Sequence, residues 1–313
     1  MEYNLKNDRK NYRFGMTAAI GCSCLWGVLP IYWKSLIPID SFVIIFYRIF
    51  LVGVVSFLGA WKLYGLKAIM APLRVKGNKL KFFVAGVLVT MNWSMYIWAV
   101  NAGYVIQTCI GYYIEPLMVC IFGVVFFKEK LTKYKLGALL LACVGIVVIL
   151  VHFGELPFIA LWLALTFALY AAAKKSFRLP ALMTLFYETM FLMIPALAVV
   201  IYMEITGRGA LDVAQPYQYG LLLLCGLLTA IPLGLFAEAA NRISLVSLGI
   251  TEYLSPSIAL VLGIFLFKEG FDLVQFVSFV IIWVGLVIFT IGEFREEKNF
   301  ESENAPQTEP EMK

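Results

Sequence analysis

Apolar positions along this chain fall into ten long runs separated by short polar connections. Each run is about 17–25 residues long, the length at which an α-helix crosses the hydrocarbon core of a bilayer. The runs are continuously apolar and do not alternate with polar positions, which predicts helices and not the strands of a barrel. The predicted spans are residues 14–33, 41–61, 82–100, 105–127, 135–151, 157–173, 182–203, 217–240, 245–267 and 272–292.

Composition supports the same class. The chain is 62% hydrophobic with a mean hydropathy of +0.86, whereas a soluble domain is about 45–50% apolar. Its six cysteines lie in apolar runs without the spacing of a metal site, so neither a metal nor another cofactor is predicted. The phosphate-binding loop of ATPases is absent, and the single histidine, His152, has no nucleophile to activate in the spans. We therefore predict a protein that is not an enzyme.

Charge predicts the orientation of the spans. If the N-terminus is cytoplasmic, 21 of the 25 Lys and Arg residues fall on the cytoplasmic side. Such an excess marks cytoplasmic connections and predicts that both termini are inside, with residues 1–13 as a cytoplasmic tail. The basic residues are spread over every second connection, so no nucleic-acid partner is predicted. Residues 293–313 are acidic and polar and are predicted to form a disordered cytoplasmic tail.

Two segments 140 residues apart carry the same pattern. Residues 113–129 (YIEPLMVCIFGVVFFKE) and 253–269 (YLSPSIALVLGIFLFKE) share Tyr, Pro, Gly and a Phe-Lys-Glu ending. Shared polar and glycine positions indicate an internal duplication. The predicted repeats are residues 14–151 and 152–292, each with five spans. Because five is odd, the second repeat enters the membrane from the opposite side, an arrangement typical of transporters.

Prolines and polar residues coincide in the fourth and ninth spans. Pro116 and Pro256 are predicted to break their helices, and such defects are tolerated at membrane depth where they face protein or water. Tyr112 and Glu115 share one helical face beside the first proline, and Glu252 lies beside the second. The two repeats are therefore expected to turn polar faces toward a common cavity.

Charged residues within the spans are the strongest candidates for function. A charge at this depth costs at least about 2.5–3.5 kcal/mol and is expected to be paired or hydrated. Arg48 is predicted to anchor an anionic group of a solute, or to form a structural ion pair with Glu115. Glu188, Glu115 and Glu252 are candidates for proton coupling, because two carboxylates in one site of low dielectric hold at least one proton. For Glu188, a structural bond to a neighbouring helix end is the alternative.

Deep aromatic and polar residues complete the predicted cavity. Aromatic faces suit an aromatic or cationic solute, although each ring alone is equally compatible with packing or lipid contact. The predicted substrate-binding residues are Trp26, Tyr47, Arg48, Asn92, Trp93, Tyr112, Tyr113, Glu115, Glu188, Glu252 and Tyr253.

These residues resemble a known family. Trp26-Gly27 followed by Lys34, and the pattern Pro116…Gly123…Glu129 repeated from Pro256, are similar to EamA-type members of the drug/metabolite transporter superfamily. The run NWSMYIWAVNAGYVIQTCIGYYIEPL at 92–117 resembles their RarD branch. The resemblance covers residues 10–292 and implies ten helices, two inverted repeats and transport of small molecules across a bacterial inner membrane.

The sequence thus predicts a multi-pass, all-α inner-membrane protein that is a secondary active transporter of a small organic metabolite or drug. Alternating access is the expected mechanism, export the favoured direction, and proton coupling a hypothesis. Two alternatives stay open: a membrane interaction protein that transports nothing, and a flippase for a lipid or lipid-linked sugar. The sequence specifies neither the solute nor the choice between monomer and homodimer.

Overall fold

The computed structural model describes residues 2–101, 104–154, 158–266 and 272–303, and all regular structure within them is helical. The helices are α1 (Glu2–Ser35), α2 (Ser41–Arg74), α3 (Asn78–Asn101), α4 (Val105–Phe127), α5 (Lys133–Phe153), α6 (Phe158–Phe177), α7 (Ala181–Ile205), α8 (Pro216–Arg242), α9 (Leu245–Glu252), α10 (Leu254–Phe265) and α11 (Leu273–Glu303).

Nine stretches of the described residues are long and apolar enough to cross a bilayer, and α9 and α10 together form one of them. The helix α3 is a tenth long element, and it packs against α6 and α7 within the bundle. The predicted all-helical membrane fold is confirmed. Most helices leave one face of large apolar side chains exposed, such as Ile194 and Val151, which suits a lipid environment.

Helix contacts follow an approximate two-fold relation between the halves. If α1, α2, α3, α4 and α5 correspond to α6, α7, α8, the α9–α10 pair and α11, most helix contacts have a counterpart: α1–α8 matches α6–α3, and α2–α8 matches α7–α3. The first helix of each half packs on the other half: α1 contacts α8 and α10, and α6 contacts α3 and α4. Corresponding helices of the two halves also contact one another directly: α2 packs on α7, α4 on α9 and α5 on α11. The repeats therefore interlock and share one interior.

Two glycines show this relation at atomic scale. A Cβ placed on Gly86 of α3 would lie 2.1 Å from the carbonyl oxygen of Glu188 on α7. A Cβ on Gly226, the repeat counterpart in α8, would lie 2.5 Å from Cβ of Leu51 on α2. Both glycines thus permit backbones to approach more closely than any side chain would allow. The duplicated sequence preserves the same helix crossing in both halves.

The helix boundaries differ from prediction at both ends. The N-terminal tail continues α1, which begins at Glu2. The helix α11 runs to Glu303, so residues 293–303, predicted to begin a disordered tail, are helical. Contacts hold the first turn of this extension: Glu293 accepts from Tyr12 and lies 3.2 Å from Nζ of Lys135, and Arg295 donates to the Tyr134 hydroxyl at 2.6 Å. Residues 304–313, and the second Phe-Lys-Glu at 267–269, lie outside the described residues.

The largest buried cluster forms where α1, α6 and α8 meet. Trp26 packs against Phe167 and Phe236 with ring centroids 5.8 and 5.7 Å away, and Tyr170 stacks on Phe236 at 6.2 Å. In a bilayer such packing stabilises the fold through van der Waals contact, because the surrounding lipid is as apolar as the side chains. This packing fixes the helices on which the central charged residues lie.

Candidate functional site between the repeats

Arg48 of α2 lies among aromatic rings that belong to α1 and α3. Its guanidinium carbon is 3.8 Å from the ring centroid of Trp93 and 5.4 Å from that of Trp33. A guanidinium over an indole face is attracted by the ring quadrupole, an interaction worth about 2 kcal/mol when both groups are desolvated. Tyr96 and Tyr112 pack edge to face at 5.6 Å close to the guanidinium. The result is a guanidinium surrounded by aromatic side chains, a cluster here called the Arg48 pocket.

No carboxylate of the described residues lies within ion-pair distance of Arg48, and its buried Nε atom has no hydrogen-bond partner there. The predicted alternative of an ion pair between Arg48 and Glu115 is therefore not realised. Glu115 instead lies near Glu252. Tyr112 is 41% exposed, so the pocket opens beyond the packed interior. An arginine with unmet donor capacity can accept an anionic group.

Glu188 forms a buried ion pair with Lys174. The lysine Nζ atom is 2.9 Å from both carboxylate oxygens. Tyr170 donates to Oε2 at 3.1 Å, and Nζ also donates to Thr184 at 3.2 Å. This network joins α6 to α7. Glu188, predicted as a candidate for proton coupling, is therefore paired with a neighbouring cation. Burial of both charges is tolerated because each satisfies the other.

Lys174 was predicted to belong to a cytoplasmic connection, and the structure corrects this. Only 2% of its surface is exposed, because it lies on the inward face of α6 one turn from Tyr170. The adjacent Lys175 points to the end of the bundle, where its Nζ atom lies 3.2 Å from Oε1 of Glu129. Two consecutive lysines of a helix point in different directions. A count of charges in each connection cannot tell which of the two is buried. The repeat gave no signal either, since the counterpart position, Lys34, is exposed.

Glu115 and Glu252 form a second charged site with a different character. Both carboxylates are buried, at 9% and 4% exposure. Among the described residues, neither oxygen of Glu252 has a hydrogen-bond partner, and neither has the hydroxyl of Tyr253. The thiols of Cys22 and Cys120 lie nearby on α1 and α4. The site therefore contains two neighbouring acids, and no cation of the described residues pairs with either.

The two prolines differ in effect. The helix α4 continues through Pro116 without interruption, so the predicted break there is wrong. The helix α9 packs closely against α4 at this point: a Cβ on Gly249 would lie 2.6 Å from the Pro116 carbonyl oxygen. The other span is divided at Tyr253, three residues before Pro256, into α9 and α10. The turn is confined to Tyr253, whose φ of −60° and ψ of −15° stay in the α-helical region, so Glu252 lies beside a slight irregularity of one membrane span.

Trp26 and Asn92 have structural roles. Trp26 packs in the aromatic cluster of α1, α6 and α8. The Asn92 amide donates to the Leu163 carbonyl at 2.8 Å and to Thr166 at 3.1 Å, and so joins α3 to α6. These partners satisfy the amide donors, so Asn92 holds the helix that carries Trp93.

Tyr47 and Tyr113 likewise lie outside the Arg48 pocket. The Tyr47 hydroxyl donates to Glu204 at 2.6 Å, and that carboxylate also accepts from the backbone N–H groups of Ala210 and Leu211. Tyr47 therefore fixes the connection between α7 and α8. Tyr113 packs against the ring of Phe279 at 4.9 Å, between α4 and α11.

Comparisons with known proteins identify related sequences. The model of the EamA-like transporter family matches twice, at residues 13–151 and 157–291. An uncharacterised transporter of Bacillus subtilis, YojE, is 36% identical over 279 residues, covering 87% of this chain and 91% of that protein. Protein RarD of Escherichia coli is 31% identical over 290 residues, covering 91% and 96%.

A solved crystal structure has the same fold. It superposes with a TM-score of 0.68 at 14% sequence identity and covers 90% of this chain and 98% of that chain. The duplicated family match agrees with the two-fold relation between the halves.

Proposed function

The chain belongs to the EamA-like transporter family and is a multi-pass protein of the bacterial inner membrane, and we propose that it is an exporter. In this proposal it exports a small organic anion by alternating access. The interlocked repeats supply the two halves that such a mechanism moves. The Arg48 pocket supplies the recognition site. Proton coupling through Glu252 and Glu115 supplies the driving force.

The unpaired Arg48 carries the proposal about the solute. A cation inside a membrane protein is normally neutralised by an acid or hydrated, and here it is flanked by the rings of Trp93 and Trp33. A solute carboxylate or phosphate would accept two parallel N–H hydrogen bonds from the guanidinium. A planar solute body would stack on the aromatic walls. The preferred solute is therefore a small anion with a flat or aromatic body.

Glu252 and Glu115 support the proposal about coupling. An ionised carboxylate without a donor or cation is strongly unfavourable in a low dielectric. Two such groups that face one another cannot both be ionised, so the pair holds at least one proton while enclosed. Exposure to water in another conformation would release it. Glu188 is the weaker coupling candidate, because Lys174 already stabilises its ionised form.

The transported solute can be identified among the compounds that living cells release into their medium. A strain that lacks the gene is complemented with the wild type, with Arg48→Met or with Arg48→Lys, at matched membrane abundance. We expect an organic anion to accumulate outside only with the wild type, because lysine cannot reproduce the planar fork on the indole. Equal release by Arg48→Met would overturn the role of Arg48. Depletion of a solute from the medium would reverse the proposed direction.

Counterflow of that solute in proteoliposomes distinguishes transport from the two alternatives. A protein that only interacts with partners exchanges no labelled solute, and a flippase moves labelled lipid instead.

Coupling is tested in the same proteoliposomes under an imposed pH gradient. Glu252→Gln should remove the response to the gradient while solute exchange continues, because glutamine resembles the protonated acid. Glu238→Gln is the matched control, since Glu238 forms a surface pair with Arg242 at 2.9 Å. An unchanged gradient response in Glu252→Gln would refute the assignment.

A further inference from the structure

The connection between the second and third spans is a bent, basic segment. At Gly65 the backbone leaves α-helical geometry with φ of 77°, and the chain resumes as a short helix that ends at Arg74. Residues 62–81, here called the elbow, hold six Lys and Arg and no Asp or Glu. Ile69 and Leu73 of the elbow are buried against the bundle, whereas its basic residues are exposed.

A groove of about 560 Å³ runs beside the elbow. Its apolar wall contains Met70 and Leu73 from the elbow and Met190 and Phe191 from α7. The two α7 residues lie in the third turn of that helix, about 14 Å along its axis from its start. The wall therefore extends from the end of the bundle toward the interior of the membrane.

The rim of this groove is cationic. Arg74, Lys76 and Lys79 line it, all three are exposed, and none pairs with an acid of the described residues. A rim of unneutralised cations above an apolar wall matches an amphiphile with a negative head and a hydrocarbon tail. Basic pockets between helices at the cytoplasmic surface are suited to anionic head groups, with each basic residue worth about a fivefold gain in binding.

We propose that the groove binds one anionic phospholipid of the leaflet that faces the elbow. Its phosphate lies at Arg74, Lys76 and Lys79, and one acyl chain follows Met190 and Phe191. The Tyr187 hydroxyl donates to the Ile69 carbonyl at 2.7 Å, so the lipid rests on an elbow that is fixed to α7. This site is separate from the Arg48 pocket and stands independently of the transported solute.

Native mass spectrometry of the full chain in detergent tests the head group. Phosphatidylglycerol and phosphatidylcholine are titrated onto delipidated protein. We expect one phosphatidylglycerol to bind at least tenfold more tightly than phosphatidylcholine, and the variant Arg74→Gln/Lys76→Gln/Lys79→Gln to lose this preference. The control Lys128→Gln/Lys130→Gln/Lys133→Gln removes the same charge from exposed residues between α4 and the start of α5 and should retain the preference. Equal loss in both variants would mean general electrostatic attraction and would overturn the site.

Two further measurements need no variant. A phosphatidylglycerol with a photoreactive acyl chain should label Met70, Met190 or Phe191, located by peptide mass spectrometry. Labels confined to other helices would overturn the proposal. Millimolar inorganic phosphate should leave the bound lipid in place, because phosphate lacks the chain. Displacement by phosphate would show that the rim binds phosphate esters in general and not a lipid.

Discussion

Glu188 and Glu252 are both buried acids, but their neighbours give them different roles. Glu188 is neutralised by Lys174 at 2.9 Å, whereas Glu252 faces another acid, Glu115. Removal of one partner from a buried ion pair typically costs 3–5 kcal/mol, since the other charge is left uncompensated. The first acid is thus bound into the fold, and the second is available for protonation.

A double-mutant cycle at Lys174 and Glu188 tests this distinction. Lys174→Met and Glu188→Leu should each destabilise the protein by about 3–5 kcal/mol. The double variant should lose much less than the sum, because it leaves no charge unpaired. Thermal unfolding in detergent measures all four proteins. Additive losses would show that the pair does not act as a unit.

At the scale of elements, Glu129 joins the two halves at the end of α4. Its two carboxylate oxygens accept from the N–H groups of Leu245 and Val246 at 2.9 Å each, and Nζ of Lys175 lies 3.2 Å away. A carboxylate at a helix N-terminus satisfies free donors and interacts favourably with the helix dipole. Beneath it, the buried Cys120 thiol donates to the Val246 carbonyl at 3.3 Å. Glu129 therefore holds this end of the repeat interface closed.

Glu129→Gln should open this end more often. Loss of the charge removes the ion pair to Lys175 and weakens both N–H bonds, an effect of about 1–2 kcal/mol. We expect Cys120 to react with a water-soluble maleimide about tenfold faster. The control is Glu293→Gln, which removes an acid paired with Lys135 at the same end without touching α9. Unchanged reactivity of Cys120 would contradict this role of Glu129.

The crossing of α2 and α8 depends on Gly226. Gly226→Ala would bring Cβ within 2.7 Å of the Leu51 backbone carbon, and the strain should destabilise the protein by about 1–3 kcal/mol. Gly234→Ala on the same helix meets no atom within 4 Å and should be neutral or slightly stabilising. Unfolding temperatures compare the two variants. Equal effects would refute close packing at this crossing.

At the scale of the whole molecule, two five-helix halves related by an approximate two-fold form one bundle. The first helix of each half packs on the other half, so neither half encloses its interior alone. The uneven distribution of Lys and Arg predicts that both termini are cytoplasmic. The membrane orientation of the bundle stays a prediction.

Cysteine labelling in intact cells tests that orientation. In a background without the six native cysteines, Lys130→Cys should be protected from an impermeant maleimide, and Arg208→Cys should be labelled. Both positions are exposed in connections between helices, so burial cannot explain a difference. Labelling of position 130 alone would invert the topology.

The sequence by itself determined the helical class, the number of long spans and the duplication. These follow from the length of apolar runs and from residues repeated at a fixed offset, which need no knowledge of packing. It also identified Arg48, Glu115, Glu188 and Glu252 as unusual, because a charge within an apolar run is expensive wherever it lies.

Only the tertiary structure decided which charges meet. Lys174 pairs with Glu188, Arg48 lies on Trp93, and Glu252 faces Glu115. Such contacts depend on how each helix is rotated about its axis and where it crosses its neighbours, and a rotation of 100° separates adjacent residues. For that reason Lys174 was assigned to a connection, and the uninterrupted passage of α4 through Pro116 was not foreseen.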